Sequence, residues 1–142
     1  MWQPFKKYHY LDHNLIKAAY QYIGLINGEL ACHTGIIQFP LRKGWKRVHR
    51  LVVMPDFQGI GIGTRFINEV SEIWKEDGFE MNLTTTTPSL VGALKRDAKW
   101  LLKRYGRSKS SYKSFSKAYG TETKLFDNTA SRNRITYSFN FK

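Results

Sequence analysis

Three glycines alternate with other residues just after an apolar stretch of the chain, and their spacing could build an anion site. Residues 51–63 read LVVMPDFQGIGIG, an apolar strand that runs through a Pro-Asp corner to Gly59, Gly61 and Gly63, and an amphipathic helix follows. Glycine has no Cβ, so the backbone there can approach a bulky ligand closely. The first N–H groups of a helix have no partners within it, and the helix dipole adds positive potential at that end. The stretch therefore predicts a phosphate or pyrophosphate site.

The neighbours of these glycines narrow the kind of phosphate ligand. A Walker A loop needs Lys and Ser/Thr directly after the last glycine, and a dinucleotide fingerprint needs a further glycine where Thr64 or Phe66 stands. Neither pattern fits. The pattern that remains is Q/R-x-x-G-x-G/A, formed by Gln58, Gly61 and Gly63. The alternative is a glycine-rich turn that merely links a strand to a helix.

With the apolar strand and the proline before it, this pattern resembles the acetyl-CoA signature of the GCN5-related N-acetyltransferase (GNAT) superfamily. The resemblance implies an enzyme in which an amine attacks the acetyl-CoA thioester directly, without a covalent enzyme intermediate. It also implies that the pantetheine arm pairs with strand backbone and that an N–H near Val53 polarises the thioester carbonyl. The implied acetyl-CoA-binding residues are Leu51, Val52, Val53, Gln58, Gly59, Ile60, Gly61, Ile62, Gly63 and Thr64.

An ammonium acceptor must lose a proton before it attacks, and histidine is the candidate base. The pKa of an alkylammonium is ~10, whereas that of an imidazole is ~6.5. His49, in the stretch VHRLVV, resembles a histidine on the same strand of arylalkylamine acetyltransferases and is the first candidate. A surface or core histidine without a chemical role is the alternative. His9, where the resemblance places the acceptor-side loop, is the second candidate, and His13 and His33 are expected to be structural.

The family's usual general acid is missing from its expected place. Relatives often carry a tyrosine four residues before the glycine that ends the last long helix, and counting back from Gly106 gives Leu102. A thiol titrates near ~8.5, so the CoA thiolate can leave unaided. Activity is still predicted, with a CoA-binding protein without turnover as an open alternative.

The threonines at 84–87 have two interpretations. Their hydroxyls could orient an acceptor, or their high β-propensity could explain them equally well.

Hydrophobic periodicity predicts the strands that would position these residues. Two strands, at 20–26 and about 30–39, flank Asn27-Gly28, a dipeptide suited to a two-residue hairpin turn. Further strands are expected at 47–54 and 79–87. The alternation of apolar and polar residues from 135 to 141 predicts a half-buried last strand.

The helices are predicted from apolar residues that recur at helical spacing. The helix after the glycines, about 62–77, places one apolar face on Ile62, Phe66, Ile67, Val70, Ile73 and Trp74. A second helix is expected from Thr87-Pro88 through residue 105, with Tyr105 on its apolar stripe and Gly106 after its end. A short helix at 13–19 and a short strand at 112–115 complete the prediction.

This order of elements matches most of the GNAT superfamily's mixed sheet. We therefore predict an α/β fold, with a GNAT-like mixed, mostly antiparallel sheet flanked by helices and a reduced N-terminal helical region. A single GNAT-like acyltransferase domain is expected over residues 1–142. Because the N-terminal elements usually shape the acceptor pocket, the acceptor stays open between a small molecule, a protein and an RNA-linked amine.

Composition excludes several classes of protein. Apolar residues make up 42% of the chain and aromatic residues 15%, which is wrong for a disordered protein. The single cysteine, Cys32, excludes an intramolecular disulfide and a cysteine zinc cluster, so no metal is expected. The N-terminus lacks the order of a signal peptide, and no apolar run reaches membrane-spanning length. We expect a cytoplasmic protein with no membrane partner.

The net charge is +12 and is unevenly distributed. Residues 95–117 contain nine basic side chains and one acidic one, Asp97, so they contribute nine minus one, or +8. A field of this strength attracts polyanions. A nucleic-acid-binding module on a GNAT-like fold is therefore the second hypothesis, with contacts from a helix at 88–105 and its tail and with Trp100, Tyr105, Tyr112 and Phe115 stacking on bases. A solvated basic face is the alternative.

Overall fold

The structure, a computed structural model, describes residues 3–8, 18–107 and 135–142 of the chain. A 3-10 helix at Gln3–Tyr8 precedes the strands and α-helices of these ranges. The elements are β1 (Tyr20–Ile26), β2 (Glu29–Gln38), β3 (Trp45–Val53), α1 (Ile62–Glu76), β4 (Glu80–Thr85), α2 (Pro88–Arg96), β5 (Trp100–Arg107) and β6 (Ile135–Phe141). The helix predicted at 13–19 lies mostly, and the strand at 112–115 entirely, outside the described residues.

The six strands form one sheet in the order β1-β2-β3-β4-β6-β5. Every neighbouring pair is antiparallel except β3 and β4, which are parallel. This confirms the predicted mixed, mostly antiparallel sheet. The β1–β2 hairpin turns at Asn27 and Gly28, whose φ angles of 51° and 83° are the positive values that such a turn requires.

The two parallel strands separate at their carboxyl ends. Their register runs from Trp45 opposite Glu80 to Val48 opposite Leu83 and stops there, although β3 continues to Val53. Residues 49–53 of β3 thus remain paired with β2 alone within the described sheet. The result is an open strand edge in the middle of the sheet, directly before the turn into α1.

A β-bulge lies where this separation begins. Ile36 of β2 pairs with Val48, while the preceding residue, Gly35, pairs with Arg50, so His49 is an extra residue on β3. A bulge changes which side chains face each side of a sheet. Val48 and Leu51, three residues apart, both pack in the cluster beneath α1.

Two apolar clusters lie on opposite faces of the sheet. The larger one joins α1 and α2 to the strands, and its members include Ile67, Val70, Leu94 and Phe139. The smaller one joins Phe5 of the 3-10 helix to Val52 of β3. Both helices therefore cover one face. Within the described ranges, no helix combines the length and the apolar character that crossing a membrane would need.

The predicted long helix at 88–105 was wrong. The helix α2 ends at Arg96, and a turn leads into strand β5 at Trp100. The Asp97 side chain accepts the Lys99 N–H at 2.9 Å, and the Asp97 carbonyl accepts the Trp100 N–H at 3.1 Å. An aspartate that bonds backbone two residues ahead favours a turn over a helix.

Pairing with β6 then decides which β5 side chains are buried. Trp100 lies opposite Phe141 and is 4% exposed, with the two ring centroids 5.1 Å apart. Tyr105, expected on an apolar stripe, is 69% exposed. Trp100 is therefore unavailable to stack on bases. One helical assignment was also wrong, since Ile73 of α1 is 46% exposed while Ser71 is fully buried.

Candidate functional site

The chain turns sharply between β3 and α1. A 3-10 helix at Pro55–Phe57 makes the corner, and the Gln58 N–H donates to the Pro55 carbonyl at 3.2 Å. The Gln58 side-chain amide donates to the carbonyl of Val53 at 2.9 Å. Gln58 therefore fixes the turn to the last residue of β3, a role that the sequence pattern alone did not reveal.

Two glycines in this turn have a backbone conformation that disfavours other residues. Gly59 and Gly61 have φ angles of 82° and 81°, in the left-handed region. Gly61 is the N-cap of α1, and no side chain caps the helix. The residue at the N-cap therefore contributes no side chain in front of the helix start.

The start of α1 lies directly against β3. A Cβ placed on Gly63 would stand 2.8 Å from Cγ2 of Val53, closer than real side chains come. Glycine at this position lets the first helical turn approach the strand end. The helix start and the open edge of β3 are consequently brought side by side.

The first turn of α1 presents its backbone donors outward. The Arg65 N–H donates to the Gly61 carbonyl at 3.1 Å, which makes it the first donor bonded within the helix. The N–H groups of Ile62, Gly63 and Thr64 precede it and have no acceptor within the helix. The first turn has no acidic residue, and Ile60 beside it is 70% exposed. This is an accessible, positively polarised cradle that suits a phosphate group.

Backbone directions show what the open edge of β3 offers. The Met54 N–H donates to the Ala31 carbonyl at 2.8 Å, so this peptide directs its N–H toward β2 and its carbonyl, that of Val53, away from β2. In an extended strand the N–H and C=O of one residue point to the same side. Val53, and by alternation Leu51, therefore present both groups to the edge that β4 leaves open. The side chains of Leu51 and Val52 are packed in the two apolar clusters.

His49 occupies the bulge and is the first residue of β3 beyond the pairing with β4. The His49 side chain is half-buried, and the His49 carbonyl accepts from Nη1 of Arg50 at 3.2 Å. His49 thus lies at the mouth of the gap between β3 and β4.

His33 of β2 is fully buried and lies opposite Val52 of β3. Its ring centroid is 5.2 Å from that of Phe5, and burial lowers the pKa of His33 to about 4. An imidazole with such a low pKa is a poor base for an ammonium group. His9, the second catalytic candidate, and His13 lie outside the described residues.

The threonines at the end of β4 make contacts within the protein. The Thr85 hydroxyl is buried and accepts the Thr87 N–H at 3.1 Å, which supports the start of α2. The Thr84 hydroxyl lies 3.3 Å from Oδ1 of Asn82 on the face opposite the helices. An acceptor-orienting role for 84–87 stays a prediction.

The prediction located the tyrosine general acid by counting back from Gly106 as the end of a helix, and this count was wrong. Leu102 and Gly106 lie on strand β5 and so cannot mark the end of a helix. The helix before β5 is α2, whose sequence PSLVGALKR contains no tyrosine. Among the described residues, no group of three or more His, Cys, Asp or Glu side chains could hold a metal ion.

Comparison with known proteins gives a family match. A family model described as the acetyltransferase (GNAT) family matches residues 1–95, well over half of the chain. A search of curated proteins found no match.

Many solved structures are similar to this one. An IAA acetyltransferase from Bacillus cereus has a TM-score of 0.61 at 16% identity, covering 88% of this chain and 78% of that one. An acetyltransferase from Bacillus subtilis in complex with CoA has a TM-score of 0.63 at 13% identity, covering 89% and 78%. The ribosomal-protein-S18-alanine N-acetyltransferase from Escherichia coli has a TM-score of 0.59 at 10% identity, covering 89% and 70%. At such identities these likenesses show the fold alone.

Proposed function

The chain belongs to the GNAT acetyltransferase family, and on this premise we propose that it is an acetyl-CoA-dependent N-acetyltransferase acting by direct attack of an amine on the thioester. One observation carries the proposal. The uncapped first turn of α1 lies beside the open edge of β3, held there by the close approach at Gly63. A long ligand with phosphates at one end and amides along its arm fits both features.

The phosphates of acetyl-CoA would be held by the backbone between Gln58 and Thr64. The outward N–H groups of Ile62, Gly63 and Thr64 supply donors there, and the helix dipole favours the negative charge. Gly59 and Gly61, whose positive φ angles favour glycine, contribute no side chains to the approach to these donors. Because backbone supplies every contact, substitutions that fill this space should affect binding more than loss of any single side-chain function.

The pantetheine arm would pair with Leu51 and Val53, whose backbone groups face the open edge. Gln58 occupies one lone pair of the Val53 carbonyl and holds that peptide in place. When bound, acetyl-CoA supplies the thioester carbonyl that the amine attacks. The Val53 N–H would donate to that carbonyl oxygen and stabilise the negative charge that develops on it.

His49 is the proposed base, acting on the acceptor ammonium directly or through a water molecule. It stands where β3 leaves β4. His33 is poorly suited to this role, because it is fully buried and burial lowers its pKa to about 4. His9 is the second candidate for the base.

The acceptor is proposed to be an amine on a small molecule, a protein or an RNA-linked group. The similar Escherichia coli structure is that of an enzyme named for an alanine of a ribosomal protein, which supports keeping protein amines in the screen. We treat residues 1–142 as one GNAT-like domain and propose a cytoplasmic location.

Two glycines at the ends of α1 offer a matched test of the acetyl-CoA site. Gly61 and Gly78 have φ angles of 81° and 82°, and a Cβ on either meets nothing within 4 Å. Gly61→Glu and Gly78→Glu therefore carry the same backbone strain and the same charge change at opposite ends of the helix. Calorimetric titration with CoA should show binding to the wild type and to Gly78→Glu, and none to Gly61→Glu. Equal affinity in both variants would remove the proposed site.

A CoA-binding protein without turnover is the second candidate, because α2 contains no tyrosine to return a proton to the thiolate. A thiol-release assay with acetyl-CoA and a panel of amines, acidic and basic peptides and RNA-linked amines separates the two. Release of CoA that depends on one acceptor class supports the enzyme. CoA binding without release for every acceptor supports the alternative.

A further inference from the structure

The sheet face opposite α1 and α2 contains a cavity of about 960 Å³. Its floor is polar, because alternate residues of β4 and β6 point there while their neighbours Met81, Leu83 and Phe139 are buried beneath the helices. The floor consists of Asn82, Thr84, Thr136, Ser138 and Asn140. No residue of the proposed acetyl-CoA site lines this cavity. It is therefore a separate concave surface, in the size range of ligand sites.

The lining of this cavity is strongly basic. Its basic side chains are those of Arg42, Arg47, Lys75, Lys103, Arg104 and Lys142, against one acidic side chain, that of Glu80. Glu80 is already paired with Lys75 at 3.1 Å. In the part of the chain that the structure describes, none of the other five cations forms an ion pair with a carboxylate. Burial lowers the pKa of the Arg47 guanidinium, which is the effect of a cation partly removed from water.

An arginine lies against aromatic rings on one wall of the cavity. The Arg42 guanidinium carbon lies 3.7 Å from the Trp45 ring centroid and 5.7 Å from the Phe39 ring centroid, and Arg42 is exposed. An exposed guanidinium can stack on a planar group that enters from solvent. Nucleic-acid bases are such groups, and they stack on arginine planes as well as on aromatic rings.

The floor groups are held in fixed orientation. Asn82 is 2% exposed, and its amide nitrogen lies 2.9 Å from the Phe139 carbonyl and 2.9 Å from Oδ1 of Asn140. These bonds direct the amide nitrogen of Asn140 away from Asn82. The Thr84 hydroxyl already donates to Oδ1 of Asn82, and the Ser138 hydroxyl oxygen accepts from the Asn82 amide. The floor therefore offers the Asn140 amide as a donor and hydroxyl oxygens as acceptors, and base edges require both, whereas carboxylates require donors alone.

We propose that this cavity binds a single-stranded nucleic-acid segment. Phosphates contact the basic rim, one base stacks on the exposed guanidinium of Arg42, and base edges bond to the floor. Charge complementarity alone would also suit an acidic peptide. The exposed Arg42 and the mixed donors and acceptors of the floor favour nucleic acid instead.

The test compares two double variants with the same change in charge. Arg47→Gln with Lys103→Gln removes two cavity cations, whereas Lys95→Gln with Lys99→Gln removes two cations that do not line the cavity. Fluorescence anisotropy with a labelled oligouridylate of about 12 nucleotides measures affinity from ~50 to ~200 mM salt. The cavity variant should bind about tenfold or more weakly at low salt, with a slope of log K against log salt shallower by ~1 to ~1.5. The control variant should stay within about twofold of wild type.

Two further measurements keep the result interpretable. Lys103→Gln alone, at an exposed position, should reproduce part of the loss if the Arg47 substitution disturbs folding. CoA affinity should be unchanged in every variant, because the acetyl-CoA site is separate.

Three outcomes would overturn the proposal. They are no oligonucleotide binding by wild type at low salt, equal losses in the two double variants, and displacement of the oligonucleotide by polyglutamate as effectively as by unlabelled oligouridylate. The last outcome would assign the cavity to acidic peptides.

Discussion

His49 is the residue on which the proposed catalytic step depends, and replacing it gives the sharpest prediction. Loss of a general base lowers turnover by ~100- to ~10,000-fold, which corresponds to ~3 to ~5 kcal/mol of transition-state stabilisation. His49→Ala should lower kcat within that range. CoA affinity should barely change, because the phosphate donors are the backbone N–H groups of Ile62, Gly63 and Thr64.

The pH dependence gives a second, independent test. Only a neutral imidazole can accept the acceptor's proton, so the wild-type kcat/KM should fall as the pH is lowered. His33, whose pKa burial lowers to about 4, serves as the comparator. His33→Gln should keep the wild-type profile, whereas His49→Ala should be flat.

The assay is thiol release with the best acceptor from the screen, at saturating acetyl-CoA, with CoA affinity measured separately by calorimetry. His49→Gln is the conservative control, since an amide keeps polar character but cannot take a proton at neutral pH. Full turnover in both His49 variants, or a pH profile unchanged from wild type, would refute the assignment. The role of base would then pass to His9 or to a water molecule held by backbone.

Two further predictions concern packing and pH-dependent stability. Gly63→Ala should lower the melting temperature, at a cost of ~1 to ~3 kcal/mol, and weaken CoA binding, because its Cβ would stand 2.8 Å from Cγ2 of Val53. Gly92→Ala in α2 should instead stabilise the protein by ~0.5 to ~1 kcal/mol, since its Cβ meets only the flexible end of Arg96 at 3.4 Å. The depressed pKa of His33 means that the unfolded chain binds more protons between pH ~6.5 and ~4. Urea denaturation should therefore show full stability above pH ~6.5 and a loss of about 2 kcal/mol by pH ~5, and His33→Gln should remove most of that loss.

Features carried by local sequence were predicted well. The hairpin at Asn27-Gly28 needs positive φ at two adjacent positions, and few dipeptides tolerate that. The last strand shows a strict alternation, which only a strand satisfies. The glycine turn and the uncapped helix start are contiguous in the chain, so local residue types alone were enough to predict the shape of the proposed phosphate site.

The prediction of a long helix at 88–105 failed because the apolar residues of this stretch fit both a helical and a strand period. Leu102 and Tyr105 fit a helical stripe with Leu94. Leu102 also fits the inner face of a strand together with Trp100. Long-range pairing of β5 with β6 decides between these alternatives. The turn at Asp97 was the local signal that could have limited the helix.

A different physical reason explains why the sequence did not predict the bulge at His49 or the separation of β3 from β4. Both exist only in the register between strands, which no stretch of one strand encodes. The same holds for the basic cavity, whose residues come from five separate parts of the chain between Phe39 and Lys142. The sequence suggested a polyanion surface at 95–117, yet the structure gathers Arg42 and Arg47 of the β3 region with Lys103 and Arg104 of β5. A basic segment identified from composition therefore needs the sheet order before its charges can be assigned to a surface. That assignment is why the nucleic-acid proposal is tested with two pairs of cations rather than with the segment as a whole.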